Sequence, residues 1–420
     1  MWVGLDDTDA VNGMCTTYLA SLLAEKLGVR GYVRLIRLNP NIPYKTRGNG
    51  ALAFETDTPA KETKDTVLRY VKEYSRFTSK KTNPGVVFIE KPSPKNKKAL
   101  AEFYRRAVSE LVTIEDAETV AHSVDAEVHK FKNGRGIIGA LAAIGADLPD
   151  KTYELIAYRK EKKKEKRIER ESVLRMDKET YPETFNNVDP ATGRILITPH
   201  GVDPVFCGIR GNTPEIVEKA WKMLKPLDEI ERTQLFVSNQ GTDAHLRERK
   251  IGELKLYDCA TLEGVVSAPP RTIAGGHVLF AFSDGTGTID CAAYKPTEDF
   301  RNDVKKLVPG DRLRAYGGIS RHPKTLNLEK IEILELQKVF LKDAPLCCGK
   351  KMSSAGRGKG GKCKKCGRKI RDMPEKEIPR DICTGFYEVP QGAKRHLSMP
   401  LIRMKCRADR NTGKEQDILS

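Results

Sequence analysis

Val3-Gly4-Leu5-Asp6-Asp7-Thr8-Asp9, followed closely by Gly13-Met14-Cys15-Thr16-Thr17, is the stretch on which the fold of this chain turns. A short apolar strand ends in three carboxylates within four residues, and a turn and two hydroxyls follow. Leu19, Leu22, Leu23 and Leu27 then recur at helical spacing, and Gly28 stops the run. Strand, acidic turn and helix in that order open an α/β domain. Carboxylates this crowded repel one another unless a cation neutralises them. Oxygen-only ligands suit Mg²⁺, and Mg²⁺ at a strand-to-helix turn usually accompanies nucleotide phosphates. Asp6, Asp7 and Asp9 are therefore candidate Mg²⁺ ligands, with Thr16 and Thr17 beside them. The same residues also read as a solvated acidic turn in which Thr16 or Thr17 caps the helix.

Working outward, Val29 to Leu38 reads as a strand carrying Arg30, Arg34 and Arg37. The loop Asn39-Pro40-Asn41-Ile42-Pro43-Tyr44-Lys45-Thr46-Arg47-Gly48-Asn49-Gly50 follows. Lys45 and Arg47 beside Gly48 and Gly50 suit a phosphate, although an ordinary hairpin connection has the same composition. Ala51 to Glu55 continues as a strand. Residues 60–76 and 96–112 read as helices around a Val86 to Ile89 strand. Gly134-Arg135-Gly136 leads into a small apolar helix over 137–145, either a tightly packed core helix or one whose start at Gly136 is open to an anion. Tyr153 to Tyr158 is a strand. The mixed charge run 160–171 reads as a solvated face or an arm touching nucleic-acid backbone. The dense stretch Thr198-Pro199-His200-Gly201-Val202-Asp203-Pro204-Val205-Phe206-Cys207-Gly208-Ile209-Arg210-Gly211 puts His200, Asp203 and Arg210 among turn residues. With a helix over Pro214 to Leu224 and a strand over Thr233 to Val237, it fits a compact ferredoxin-like α+β unit.

From Thr261 to about Gln337, five short β runs alternate with turn signals, which suggests a small OB-type barrel. Cys363-Lys364-Lys365-Cys366-Gly367 then reads as a zinc knuckle. Its partner pair, Cys347-Cys348, is adjacent where two intervening residues are usual. The expected ligands are Cys347, Cys348, Cys363 and Cys366, with Cys383, Cys406 or His396 as replacements for one of them. Lysines and arginines crowd this module, which makes it a candidate contact for RNA.

The 420 residues suffice for several domains, and no apolar run approaches the ~20 residues of a membrane span. No basic region followed by an apolar stretch marks a secretory signal, so the expected location is the cytoplasm. The ten cysteines are scattered singles plus one cluster, which fits a reduced chain with one metal site. The net charge of +17, from 74 Lys and Arg against 57 Asp and Glu, favours a polyanionic partner. The resulting fold class is multidomain α+β. The expected divisions are 1–195 as an α/β catalytic domain, with part of 60–125 open to assignment to the next unit; 196–250 as a ferredoxin-like domain; 255–338 as an OB-fold; 345–372 as a zinc ribbon; and 373–420 as a tail.

Taken together and in order, GLDDTD with GMCTTYLA, NPNIPYKTRGNGA, NGRGIIGALAAIG with TYELIAYR, PHGVDPVFCGIRG and NQGTDAHL, then a β-barrel and a zinc ribbon, resemble the archaeal tRNA(Ile) 2-agmatinylcytidine synthetases over nearly the whole chain. The resemblance implies a Thr/cytidine kinase-like catalytic domain at the N-terminus. It implies ATP-dependent replacement of the 2-oxo group of the first anticodon base by agmatine, in the isoleucine tRNA with anticodon CAU. ATP would phosphorylate that oxygen, the agmatine amine would attack, and phosphate would leave. Thr16 matches the threonine that becomes autophosphorylated in the family. In this setting Lys45, Arg47, Gly48, Gly50, Gly136, His200 and Arg210 would contact ATP phosphates, and Asp203 would meet agmatine. The barrel and ribbon would bind tRNA. The competing readings are a non-catalytic RNA-binding protein built on the barrel and ribbon, and a small-molecule kinase. The first leaves three carboxylates at one turn without a purpose; the second leaves the barrel, ribbon and charge without one.

Overall fold

The computed structural model describes residues 1–10, 13–45, 48–160, 165–199, 201, 204–321, 324–356 and 359–405. Arg47, His200, Asp203 and Cys406 lie outside them. The chain opens with β1 (Trp2–Asp6), α1 (Thr16–Leu27), β2 (Val33–Arg37), β3 (Gly50–Glu55), α2 (Ala60–Tyr74), β4 (Gly85–Ile89), α3 (Pro94–Ser109), α4 (Ile114–Ser123), β5 (Glu127–Lys130) and α5 (Gly136–Gly145). It continues with β6 (Thr152–Arg159), α6 (Arg170–Thr180), β7 (Thr184–Phe185), β8 (Val205–Gly211), α7 (Pro214–Met223) and β9 (Ile230–Ser238). These strands form one nine-stranded sheet in the order β5-β4-β1-β3-β2-β9-β6-β8-β7.

β1 lies between β4 and β3, antiparallel to both, which carries Asp6 to one end of the sheet. The two halves are joined by a parallel pair, β2 with β9, where Val33 faces Phe236 and Leu35 faces Ser238. β6 sits between β9 and β8 and is antiparallel to each. The α+β unit is therefore β6–α6–β8–α7–β9, and the sheet runs straight through the division that the sequence suggests at 195/196. Strand alternation cannot reveal this, because the partners of β6 lie far downstream.

Local chemistry explains two further differences. The strand expected from Val29 begins only at Val33, because Gly28 and Gly31 hold positive φ angles of 65° and 74°. The expected helix 96–112 is α3, and a second helix outside that expectation, α4, follows it. Ser93 caps α3 through its contact with the Asn96 N–H, and a capping box between Thr113 and Asp116 starts α4. α5 is the core helix that its small residues suggest. An added Cβ at Gly4 would lie 2.2 Å from the Ala140 carbonyl oxygen, and one at Gly85 would lie 2.0 Å from the Ile137 nitrogen. Only glycines let the helix come this close to β1 and β4.

The second body contains β10 (Arg247–Glu248), β11 (Cys259–Ile273), β12 (His277–Ser283), β13 (Thr288–Ala293), α8 (Asp299–Lys305), β14 (Arg312–Ile319) and β15 (Thr325–Glu335). The antiparallel pairing of β14 with β11 closes β11 to β15 into the expected five-stranded barrel. Phe280, Phe282, Leu313 and Ile331 fill it without exposure, each contributing about 1.5–3 kcal/mol by leaving water. β16 (Val339–Lys342) pairs with the later strand β22 (Glu375–Ile378) to make a stalk. Between them lie β17 (Leu346–Cys347), β18 (Lys350–Lys351), β19 (Ser353–Ser354), β20 (Gly361–Lys362) and β21 (Lys369–Ile370); β23 spans Gly385–Glu388. β23 returns to the barrel beside β15. The chain beyond it, expected as a tail, packs between barrel and sheet: Leu397 and Met399 are buried. Among the described residues no helix is long and apolar enough to cross a membrane.

Candidate functional site

At the end of β1 the sheet opens into a cavity of about 510 Å³. Asp6, Asp7, Asp9, Thr16 and Thr17 line one side of it; Lys45, Gly48, Gly50 and Arg210 also line it, as does Gly136 at the start of α5. Ten candidates from four separate sequence stretches thus meet in one place. Arg47, His200 and Asp203 lie outside the described residues, but Lys45, Gly48, Pro199 and Val205 on either side of them line the same cavity.

The acidic wall is built by backbone geometry. Asp7 holds a φ of 57°, a left-handed conformation, and its N–H donates to Asp6 Oδ1 at 2.6 Å. Arg135 Nη2 approaches Asp7 Oδ2 at 3.0 Å. The Thr82 hydroxyl donates to the Asp9 carbonyl at 2.7 Å and holds the turn. Gly139 leaves room for the cluster, since a Cβ there would lie 2.0 Å from Asp6 Oδ2. Burial first, then the neighbouring Asp7 and Asp9 charges, push the Asp6 carboxyl well above its ordinary range. Carboxylate oxygens are the ligand type Mg²⁺ takes, but among the described residues only the four cysteines bring three or more ligand atoms within 4.8 Å of one another, so the acidic turn is not a preformed three-carboxylate metal site.

The helix start differs from the sequence expectation. Cys15 occupies the N-cap position, and Thr16 and Thr17 are the first two helical residues. The chain turns into the helix one residue before the hydroxyl pair, so neither threonine can cap it. Among the described residues no side-chain cap is seen at the first turn, and Cys15 Sγ lies 3.0 Å from Thr17 Oγ1. Both hydroxyl residues are buried, and both line the cavity. The positive end of the α1 dipole therefore faces this space, an arrangement that suits phosphate.

The opposite wall is cationic, and sequence reasoning missed much of it. Arg210 Nε donates to Glu154 Oε1 at 3.1 Å, and Arg37 Nη2 lies 3.8 Å from Glu154 Oε2. Gln240 also donates to Glu154. Burial pushes the Glu154 carboxyl up, but Arg210 and then Arg37 outweigh it and hold the group below its usual value. The Arg37 side chain needs the bare glycines beside it: a Cβ at Gly48 would lie 2.6 Å from Arg37 Nη1, and one at Gly50 2.9 Å. Lys45 donates its ammonium to the Pro40 carbonyl. Glu154 had a sequence signal, as an acid inside the apolar run TYELIAYR. Arg37 and Arg135 lay in stretches already singled out. His396, which also lines the cavity, was singled out only as a spare zinc ligand, because it arrives from the far end of the chain.

The metal candidate resolves the question of adjacent cysteines. The sulfurs of Cys347, Cys348, Cys363 and Cys366 all lie within 4.8 Å of one another. Cys348 and Gly349 both adopt positive φ, at 50° and 77°, and this tight turn brings the second sulfur back beside the first. Neither Cys383 nor His396 belongs to the group. Backbone N–H groups of Cys366 and Lys365 draw the Cys363 thiol down to about 7, which favours the thiolate. Four sulfurs on two tight turns fit structural Zn²⁺.

Known proteins match this architecture segment by segment. Residues 2–133 match the TiaS TCKD domain, 134–245 the TiaS FLD domain, 260–334 an OB-fold nucleic acid binding domain, and 344–382 the TiaS C-terminal zinc ribbon domain. The isoleucine-tRNA 2-agmatinylcytidine synthetase TiaS of Methanocaldococcus jannaschii is 43% identical over 416 residues, covering 96% of this chain and 98% of its own. Its counterpart in Pyrococcus horikoshii is 46% identical over 417 residues, covering 96% and 97%. The crystal structure of a TiaS complex with isoleucine tRNA and ATP superposes with a TM-score of 0.88 at 42% identity, covering 96% of this chain and 97% of that one. That of a TiaS complex with the tRNA, AMPCPP and agmatine gives 0.85 at 40%, with the same coverage. The chain belongs to the TiaS family.

Proposed function

We propose that this chain is an ATP-dependent ligase that joins agmatine to C2 of the cytidine at the first anticodon position of the isoleucine tRNA with anticodon CAU, forming 2-agmatinylcytidine. The observation that carries the proposal is the meeting, in one cavity, of an acidic cluster, a hydroxyl pair at a helix start and a set of arginines. It occurs in a chain whose relatives, named as isoleucine-tRNA 2-agmatinylcytidine synthetases, match it over 96% of its length. The TiaS structures with ATP and with AMPCPP and agmatine support the same substrates.

Phosphoryl transfer asks a protein for position and charge more than for covalent chemistry. Arg37, Arg210 and Lys45, with Arg47 and His200 from the flanking stretches, would receive phosphate oxygens. Gly48, Gly50 and Gly136 would allow backbone to approach them. Asp6, Asp7 and Asp9 would hold Mg²⁺, which neutralises phosphate charge when bound. Thr16 is positioned to accept a phosphoryl group, with Thr17 beside it. The target cytidine must leave its stack to enter, as for other base-modifying enzymes. The guanidinium of agmatine calls for a carboxylate, and Asp203 fills that role in this reading. A tRNA substrate makes the cytoplasm the working place.

The test uses purified protein, ATP, labelled agmatine and a transcript of that tRNA. Label enters the RNA only when ATP is present, and a peptide containing Thr16 carries phosphate in the mass spectrum. Thr16→Ala removes both signals and keeps tRNA affinity within about twofold, because Thr16 is not the cap whose loss typically costs ~1 kcal/mol. Absence of label from the RNA with the parent protein overturns the reading. The ribbon makes a separate prediction. Cys363→Ser lowers bound zinc from one to none per chain by atomic emission. It weakens tRNA binding by at least about tenfold through loss of a basic surface, while the barrel and sheet melt as before.

A further inference from the structure

One cavity residue is not used by the chemistry above. His396 comes from the segment beyond β23, after the chain has passed through barrel and ribbon. The segment is fixed to the body residue by residue. The Gly241 N–H donates to the His396 carbonyl at 2.8 Å, and the Asp243 N–H donates to the Leu397 carbonyl at 2.9 Å. The Met399 N–H donates to Asp243 Oδ1 at 2.7 Å. Arg403 grips Asp150 through two bonds of 2.7 and 2.8 Å, and Arg395 reaches the Pro40 carbonyl at 3.0 Å. Leu397, Ser398 and Met399 are buried, whereas His396 is exposed and lines the cavity. Its Nε2 lies 3.2 Å from where a Cβ on Gly48 would stand. So much anchoring, ending in one open imidazole, is construction toward a ligand.

The charged groups around the ring are Arg37 on β2, Arg210 on β8 and Lys45 on the loop before β3. Glu154 on β6 pairs with the two arginines, and Arg395 lies on the segment itself. The positive charge of Arg37 first, with Arg210 and Lys45 behind it, holds the imidazole well below its ordinary range. It is therefore neutral at pH 7, with a ring nitrogen able to accept a proton but weakened as a base by those cations. Phosphate placed among those cations would offset their charge and return basicity to the ring.

The ligation proposed above needs such a group. An alkylamine near pKa ~10 arrives as an ammonium, and only the free amine attacks. Given that reading, we propose that His396 is the base that takes this proton. The proton passes from the agmatine nitrogen to a ring nitrogen of His396. The freed electron pair forms the C–N bond at C2. The C2–O bond then breaks, and its pair leaves on the phosphate oxygen. The imidazolium returns its proton to solvent or to the departing phosphate.

The test separates the two half-reactions in His396→Ala and His396→Gln, using the full chain, ATP and the same tRNA transcript. Agmatine incorporation falls by about 10²-fold or more, while phosphate transfer to Thr16 stays within about threefold. Added imidazole restores part of the incorporation in His396→Ala. An aminooxy analogue of agmatine, unprotonated at neutral pH, enters the RNA at nearly the parent rate. Incorporation within about threefold of the parent, equal losses with agmatine and the analogue, or joint loss of both half-reactions overturns the assignment. If the parent itself puts no agmatine into RNA, the ligation reading fails, and that result is distinct from a defect confined to the variants.

Discussion

Asp6→Asn yields a protein that folds at least as well as the parent and transfers phosphate at a rate lower by about 10³-fold or more. Asparagine keeps the volume of aspartate, which matters because Gly139 leaves no spare room beside Oδ2. It removes a charge that burial and the neighbouring Asp7 and Asp9 make costly to hold. The amide oxygen still accepts the hydrogen bond from the Asp7 N–H, so the turn survives. Chemistry is lost because an amide oxygen is a weaker partner for a divalent cation than a carboxylate. Thermal melts and ATP consumption, measured on the same preparation, check the two halves of the claim. A destabilised variant would mean that Asp6 is structural. A stable variant that still transfers phosphate would remove the acidic cluster from the mechanism. Repulsion stored at a functional turn, and released when activity is given up, is how sites are separated from scaffolding.

The acidic turn, the hydroxyl pair, the glycines of the 48–50 loop and Arg210 were legible because each is dense local chemistry. The barrel was legible too, since its strands are short, evenly spaced and divided by turn signals. Other features were hidden for a physical reason. β6 reads as a strand anywhere in the chain, but its place between β8 and β9 depends on pairing that leaves no trace in local pattern. His396 read only as a spare zinc ligand, because its place in the cavity is set by hydrogen bonds from Gly241 and Asp243 to its segment, far away in sequence. The adjacent cysteines were misleading in the opposite sense. Spacing rules argue against the pair Cys347-Cys348, yet positive φ at Cys348 and Gly349 lets both sulfurs join the same cluster.

Glu154 is where fold and site depend on a single carboxylate. It lies on β6, fully enclosed, between Arg210 and Arg37, with Gln240 completing its contacts. Glu154→Gln keeps the shape and removes the charge, which leaves two arginines side by side without an anion. Loss of one partner from a buried pair costs about 3–5 kcal/mol, and that is the destabilisation expected in urea melts. The pH dependence gives a second signature. Burial raises the Glu154 carboxyl, but Arg210 and Arg37 more than offset this, so the folded value lies below the unfolded one. Stability from this group is therefore complete above the unfolded value of about 4.3 and is lost as pH falls through the folded value. The variant lacks that acid-side slope. ATP adds a third signature. If Arg37 and Arg210 receive phosphate oxygens, the nucleotide supplies the missing anion, and ATP raises the melting temperature of Glu154→Gln more than that of the parent. An equal ATP shift in both proteins would place the phosphates elsewhere in the cavity and leave Glu154 a purely structural counter-ion.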